Sequence, residues 1–346
     1  MRAAIFGTPG IENLEVRDVE VPRPGPHDVL VRVVRAGVNP VDRFTVTGLR
    51  QARPMPHVPG AEFAGIVEEV GEEVEGISRG DAVIDYPRVF CGRCDMCISG
   101  REMLCRTGGV LGVASNGGFS EFALIPEAAA FRVDASLGWD LLASLPVSAL
   151  TAYHGLRASG LRAGETVVVV GASGNTGMFA VQLAHIMGAR VIAVSRKPRG
   201  WLMDMGADEV VEPASATEAV SRFTDGRMAN VVVDSLGSET TPLSIGLLGP
   251  GGRLVSYGTL TGGTVPVDMR QVYSREISII GSTGGTRAEF GELISIAGSR
   301  DLVVRVWRTY PLGEVRRALE DLSAHERDGR IMLDVERRRW TDSKSF

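Results

Sequence analysis

The stretch ETVVVVGASGNTGMFAVQLAHIMGARVIAVSRK, residues 165–197, decides the fold. It opens on Thr166, Val167, Val168, Val169 and Val170, a β-branched run of the kind buried on both faces of a parallel sheet. A turn with Gly171, Gly174 and Gly177 follows. An apolar run (Met178, Phe179, Val181, Leu183, Ala184, Met187) then predicts a helix packed on the sheet, and 191–194 predicts a second strand. Strand, glycine turn, helix and strand are the context in which such a turn binds a dinucleotide. Glycine is needed where a Cβ would block the bend, the approach of the pyrophosphate, or the packing of helix on strand. The helix N-terminus adds free N–H groups and a positive dipole end. Ala172 and Ser173 separate the first two glycines, so the context carries more of the argument than the motif. A turn of purely structural purpose is the alternative.

The end of the second strand bears on which dinucleotide binds. An NAD site places an acid there for the ribose 2′-OH, whereas a 2′-phosphate calls for cations and hydroxyls. Here the residues are Ser195, Arg196 and Lys197, with Arg199 beyond and no acid; the alternative is a solvated basic loop. Of 37 basic residues only Lys197 and Lys344 are lysines. The cofactor expected is NADP(H). Its candidate contacts are Gly171, Ser173, Gly174, Asn175, Thr176 and Gly177 in the turn, Ser195, Arg196 and Lys197 at the strand end, and Gly258.

The remaining chain falls into two styles. Further strands are predicted at 209–212, 230–235, 253–257 and 277–281, which completes six, enough for a doubly wound sheet. The first part instead offers short strands without helices between them, at 1–6, 11–21, 28–38, 62–70, 81–85 and 119–125, as in a β-barrel domain. Helix is expected over 136–159, with a break or kink at Pro146. A strand at 302–308, a helix at 312–322 and a strand at 330–335 return to the first style. The expectation is an α/β protein in which 149–281 binds the dinucleotide, while 1–148 and 282–346 form one discontinuous domain. A chain of 346 residues is long enough for both.

Cys91, Cys94, Cys97 and Cys105 fall close together, in a lobe spanning 88–108. Four thiolates so near one another suit one tetrahedral zinc with no open coordination position, hence a structural site. An iron–sulfur cluster is the alternative. Net charge of −5 gives no general attraction to nucleic acid or anionic membranes. No apolar run has the length of a membrane span, and the N-terminus has no signal-peptide pattern, so a cytoplasmic location is expected. The G-x-S-x-G match at 76–80 is read as a turn, because a β-type segment follows where a nucleophile elbow needs a helix.

The turn and the cysteine lobe, together with GVNPVD (37–42), PGAEFAGIVEEVG (59–71), GD (80–81), LTAYHGL (150–156), GGRLVSYG (251–258) and DGRIMLDV (328–335), resemble the medium-chain dehydrogenase/reductase superfamily over essentially the whole chain. That superfamily includes zinc alcohol dehydrogenases and quinone oxidoreductases. The resemblance implies a GroES-like catalytic domain, a Rossmann domain, a cleft between them, and a homodimer or homotetramer. It also exposes departures. Where zinc alcohol dehydrogenases hold a catalytic zinc, this chain has Asn39, Ala61 and Val147, although the acid Glu62 is kept. The resemblance places Asn39 at the nicotinamide ring, and Thr151 beneath it with Thr176 behind. Tyr257, at a strand end where ligands collect, is a second donor candidate. Asp42 is a candidate for orienting Asn39 or the backbone of its turn.

The expected activity is therefore hydride transfer to enones, quinones, or activated ketones and aldehydes without catalytic zinc, with hydrogen-bond donors carrying the developing anion. Alternatives are an alcohol/ketone dehydrogenase whose metal is held by Asn39, Asp42, His57 and Glu62, or a cofactor-binding structural or RNA-binding relative of quinone oxidoreductases. The cofactor features argue against a purely structural role, and the net charge argues against RNA.

Overall fold

A computed structural model describes residues 1–197 and 199–336. Six strands form one wholly parallel sheet, in the spatial order Glu209–Val211, Arg190–Val194, Thr166–Val170, Ala229–Asp234, Leu248–Ser256, Ser278–Gly281. This is the doubly wound order, with a switch point beside the central Thr166–Val170. The valine run explains the centre. Val167, Val169, Val191, Ala193, Val231 and Val233 face one helical layer, while Val168, Val170, Ile192, Val194 and Val232 face the other. All eleven are essentially buried. Each full burial of such a side chain is worth roughly 1.5–3 kcal/mol, which is why the β-branched run commits to this place. Gly177–Ile186, Leu150–Ala158 and Arg287–Ser299 pack on the first face, and Ala216–Phe223 lies on the second.

The second sheet is built around Asp28–Gly37, a ten-residue strand with three partners. It pairs antiparallel with Phe63–Val70, with Phe122–Pro126 along its first half, and with Arg330–Asp334 at its end. Val306–Pro311 extends the sheet beyond Arg330–Asp334. The C-terminal strands thus enter the sheet of the first part of the chain; residues from 337 onward lie outside the described residues. The strand expected at 302–308 forms four residues later.

Two local departures from the sequence expectations shape the site. The helix expected over 136–159 is divided into Trp139–Leu142, a single π-helical turn at Leu145–Ala149, and Leu150–Ala158. Pro146 has no N–H to give, and the amides of Val147 and Ser148 turn aside to the Glu62 carboxylate, so the regular ladder cannot run through. The second departure is a short helix, Pro40–Val46, where none was expected. The Asp42 carboxylate accepts from the Asn39 amide at its start. The segment at 76–80 is a turn with Gly76 and Gly80 at positive φ, as its sequence context requires. Among the described residues no helix is long and apolar enough to cross a membrane.

Candidate active site

The two sheets meet where Asp28–Gly37 ends. Gly37 is obligatory there, since a Cβ would collide with Arg330 and Glu62. Two residues on, the Asn39 side chain donates from Nδ2 to Glu62 Oε1 (2.6 Å). Its Oδ1 accepts from Asn175 Nδ2 (2.9 Å) and Ser148 Oγ (3.2 Å). Glu62 and Arg330 are fully buried and ion-paired, and Arg330 also donates to Ser148 Oγ. Glu62 Oε1 accepts from Asn39 and Arg330, and Oε2 from the Val147 and Ser148 amides. With four donors on two oxygens, this carboxylate is saturated.

The geometry limits what Asn39 can do and places Asp42 against backbone. Asn39 is not a free donor standing in the cleft: it is 3% exposed, and one Nδ2 hydrogen and its Oδ1 are committed to protein partners. Asp42 is fully buried, and its carboxylate accepts from the Asn39 and Ala61 amides at 2.8 and 2.9 Å. It orients backbone and touches no cleft. Burial pushes its carboxyl up to about 7, against the pull of those two amides. His57 is also buried, with its ring nitrogens against the Pro54 and Gly112 carbonyls (3.2 and 2.9 Å). Asn39, Asp42, His57 and Glu62 therefore do not converge as a ligand set.

The glycine turn has the form a diphosphate needs. A Cβ on Gly177 would strike the Gly171 carbonyl, Gly171 has φ 76°, and a Cβ on Gly258 would strike the Ser235 carbonyl. Gly174 and Thr176 are partly exposed in the same turn. Asn175 points the other way. It is 6% exposed, and its Nδ2 donates to Val38 O as well as to Asn39, so it straps the turn to the neighbouring domain. Its Oδ1 accepts from Arg327 Nη1 (3.4 Å). Burial, then the charges of Arg330 and Arg196, push Arg327 down to about 10. A cationic site facing the turn is what a pyrophosphate would neutralise. Ser195 is buried and donates to Ser173 Oγ (3.1 Å), while Arg196 and Lys197 are exposed beside it. Arg199 is paired with Asp328.

Tyr257 packs against Leu150–Ala158, the helix that carries Thr151. The Tyr257 ring packs over Gly155, and its hydroxyl is buried without a partner among the described residues. Burial, and then the Asp234 charge, raise its pKa, so it stays a protonated donor. Thr151 is half-buried on Leu150–Ala158.

The cysteine lobe is separate from this network. All four Sγ atoms lie within 4.8 Å of one another, with Cys94–Cys97 at 3.6 Å and Cys91–Cys97 and Cys94–Cys105 at 4.0 Å. Four sulfurs each about 2.3 Å from a tetrahedral zinc would stand about 3.8 Å apart, so the residues fit that ion. Among the described residues no other cluster of His, Cys, Asp and Glu is close enough to hold a metal.

Sequence reasoning missed Ser148, Arg330 and Arg327. The available signal was an arginine heading the apolar run of 331–333, a position an exposed charge would not need.

Fold and site together define a two-domain nicotinamide-type oxidoreductase. Residues 25–135 match the alcohol dehydrogenase GroES-like domain and residues 175–299 the zinc-binding dehydrogenase family. The chain belongs to the medium-chain dehydrogenase/reductase superfamily, among the alcohol dehydrogenase and quinone oxidoreductase-type enzymes. It is 43% identical to a cobalt- and zinc-bound thermostable alcohol dehydrogenase from Pyrobaculum aerophilum, with a TM-score of 0.91 over 97% of this chain and 99% of that one. It is 32% identical to an NAD-dependent alcohol dehydrogenase from Sulfolobus acidocaldarius, over 95% of this chain and 97% of the relative. An acryloyl-coenzyme A reductase from Metallosphaera sedula is 31% identical, over 93% and 96%.

Removing one partner of the buried pair strands the other. Arg330→Met is expected to destabilise the protein by about 3–5 kcal/mol, read as a shift in the denaturant midpoint. The double variant Glu62→Gln/Arg330→Met should be more stable than Arg330→Met alone. A double variant as unstable as the single one would show that the cost lies in packing and not in the unpaired charge.

Proposed function

We propose that this protein is an NADP(H)-dependent reductase of α,β-unsaturated carbonyls, quinones, or activated ketones and aldehydes that transfers hydride without a catalytic zinc. The observation that carries the reading is the Asn39–Glu62–Ser148–Arg330 network. Positions 39, 61 and 147 offer an amide, a methyl and an isopropyl group, and the acid kept at position 62 is already saturated by four donors. These side chains do not fit a zinc. The four cysteines do, and their zinc is structural, one per chain, because no position around it is left open.

The nicotinamide cofactor supplies the hydride when bound. The chain's own residues do the rest. Gly171, Gly174 and Gly177 let the backbone approach the diphosphate, and Arg327 offsets its charge from across the cleft. Arg196 and Lys197 receive the 2′-phosphate, at a strand end where Ser195 replaces the acid of an NAD site. The Tyr257 hydroxyl, buried, protonated and without a protein partner, donates to the oxygen on which charge develops. Such a donor suits an acceptor whose anion is delocalised, as an enolate or hydroquinone is, and the M. sedula relative's name describes reduction of that kind of substrate.

Three outcomes test this reading. Fluorescence titration should show tighter binding of NADPH than NADH, with Arg196→Ala weakening NADPH by roughly tenfold or more, the scale of hydrogen bonds to charged groups. Equal affinity of the wild type for both would remove the cofactor preference. Elemental analysis should give about one zinc per chain, and Cys94→Ser should lose it together with thermal stability. Two zincs, with activity abolished by a chelator that leaves the fold intact, would favour a metal-dependent dehydrogenase instead. Tyr257→Phe should reduce turnover of the best enone or quinone in an NADPH-consumption screen by about a hundredfold, with NADPH affinity unchanged. Wild-type turnover would exclude Tyr257 as the donor.

A further inference from the structure

Arg88 is a half-buried cation without an anionic partner among the described residues. It lies on the short strand Arg88–Val89, which pairs with Gly109–Val110 just before the cysteine lobe. Its Nη2 donates to Thr283 Oγ1 (3.2 Å), and its guanidinium lies against Gly284, where any Cβ would strike it. Elsewhere the part-buried or buried arginines Arg199, Arg253 and Arg330 face Asp328, Glu165 and Glu62. Arg88 has no ion-pair partner among the described residues, and the Arg50 charge acts against its own. Burial first, and Arg50 with it, lower its pKa. A half-buried cation beside a like charge gains when a ligand supplies the missing anion.

Its place in the fold says what that anion is not. Thr283 and Gly284 follow Ser278–Gly281, on the carboxyl side of the sheet where ligands bind. That strand is three pairings removed from Thr166–Val170, at the end of which the phosphate turn lies. Three spacings amount to about 14 Å, too far for the cofactor's diphosphate to serve Arg88. On the near side, Gly285 packs on Leu150 and His154, next to Thr151. The Arg88 seat therefore joins the strand Arg88–Val89 to the chain that follows Ser278–Gly281, one residue from the contact with Leu150 and His154.

We propose that Arg88, positioned by Thr283 and Gly284, binds an anionic group carried by the substrate away from its reacting carbonyl or double bond. The substrate class narrows to acidic acceptors: an unsaturated or oxo acid with a free carboxylate, or an acyl thioester whose carrier bears phosphate. This rests on the reductase reading above for the identity of the reacting group, but not for the binding of the anion.

The test is calorimetric titration of the enzyme saturated with oxidised cofactor, in which no acceptor can be reduced. Two pairs of probes separate the sources: trans-4-oxopent-2-enoate against its methyl ester, and crotonyl-coenzyme A against crotonyl-pantetheine. One charged probe should bind wild type roughly tenfold or more tighter than its neutral partner. In Arg88→Gln that preference should collapse toward one, and Arg88→Lys should restore part of it. Dependence confined to the first pair identifies a carboxylate, and to the second a phosphate. Absence of preference in both pairs, or equal losses for charged and neutral probes in Arg88→Gln, overturns the proposal. NADPH consumption with the same probes judges the reductase reading separately. Charge-selective binding without turnover would leave the Arg88 site standing and remove the reaction.

Discussion

A carboxylate and a guanidinium fully out of water hold the centre of this molecule together. Moving either charge from water into the interior costs several kcal/mol, and their mutual attraction repays it only when the remaining hydrogen-bonding capacity is filled. Glu62 meets that condition with donors from three separate stretches: the turn after Asp28–Gly37, the π-helical turn with its Val147 and Ser148, and the strand that begins at Arg330. Displacing any of these stretches leaves a buried charge short of partners. The pair therefore fixes the join of the two domains more than it adds stability, and the glycine turn is tied into the same network through Asn175 and Asn39.

Local physics made the Rossmann half legible from sequence. A β-branched run, three glycines and an apolar helix are neighbours in the chain, so propensity, turn chemistry and burial agree within thirty or so residues. The cysteine lobe was legible for the same reason, since its ligands are close in sequence. The active-site network was not. Asn39 meets Glu62, Ser148 and Asn175 across 23, 109 and 136 positions, and Arg330 meets Glu62 across 268. No periodicity encodes such meetings. A sequence reading could therefore name Asn39 as a chemically able group, but could not see that one of its Nδ2 hydrogens and its Oδ1 were already committed. The π-helical turn escaped for a related reason: Pro146 announces a break, while the carboxylate that stabilises it lies more than eighty residues earlier.

The net charge of −5 hides an arrangement of opposite sign inside. Arg327, Arg196 and Lys197 stand around the phosphate turn, and Arg88 stands elsewhere with the Arg50 charge acting on it. A concave, low-dielectric surface lined by one sign of charge concentrates the field there, whatever the protein's overall balance. Acidic residues are kept out of this lining by being spent elsewhere: Asp328 on Arg199 and Arg305, and Glu62 on Arg330. Cations therefore stand unpaired among the described residues near the glycine turn and at Arg88, whatever the sign of the whole chain.

The scarcity of lysine gives the exposed Lys197 a practical meaning. The chain carries two lysines, and Lys197 stands at the end of Arg190–Val194, beside Ser195 and the glycine turn. Arginine keeps its proton under conditions in which a lysine amine reacts. The rest of the basic surface is therefore silent to amine-directed reagents. A fluorophore or reductive-methylation label introduced through lysine chemistry lands at the cofactor mouth with few other destinations. Reductive methylation, which keeps the charge, therefore marks this strand end in the wild-type protein without an engineered cysteine, which the four-thiolate lobe would make hard to address selectively.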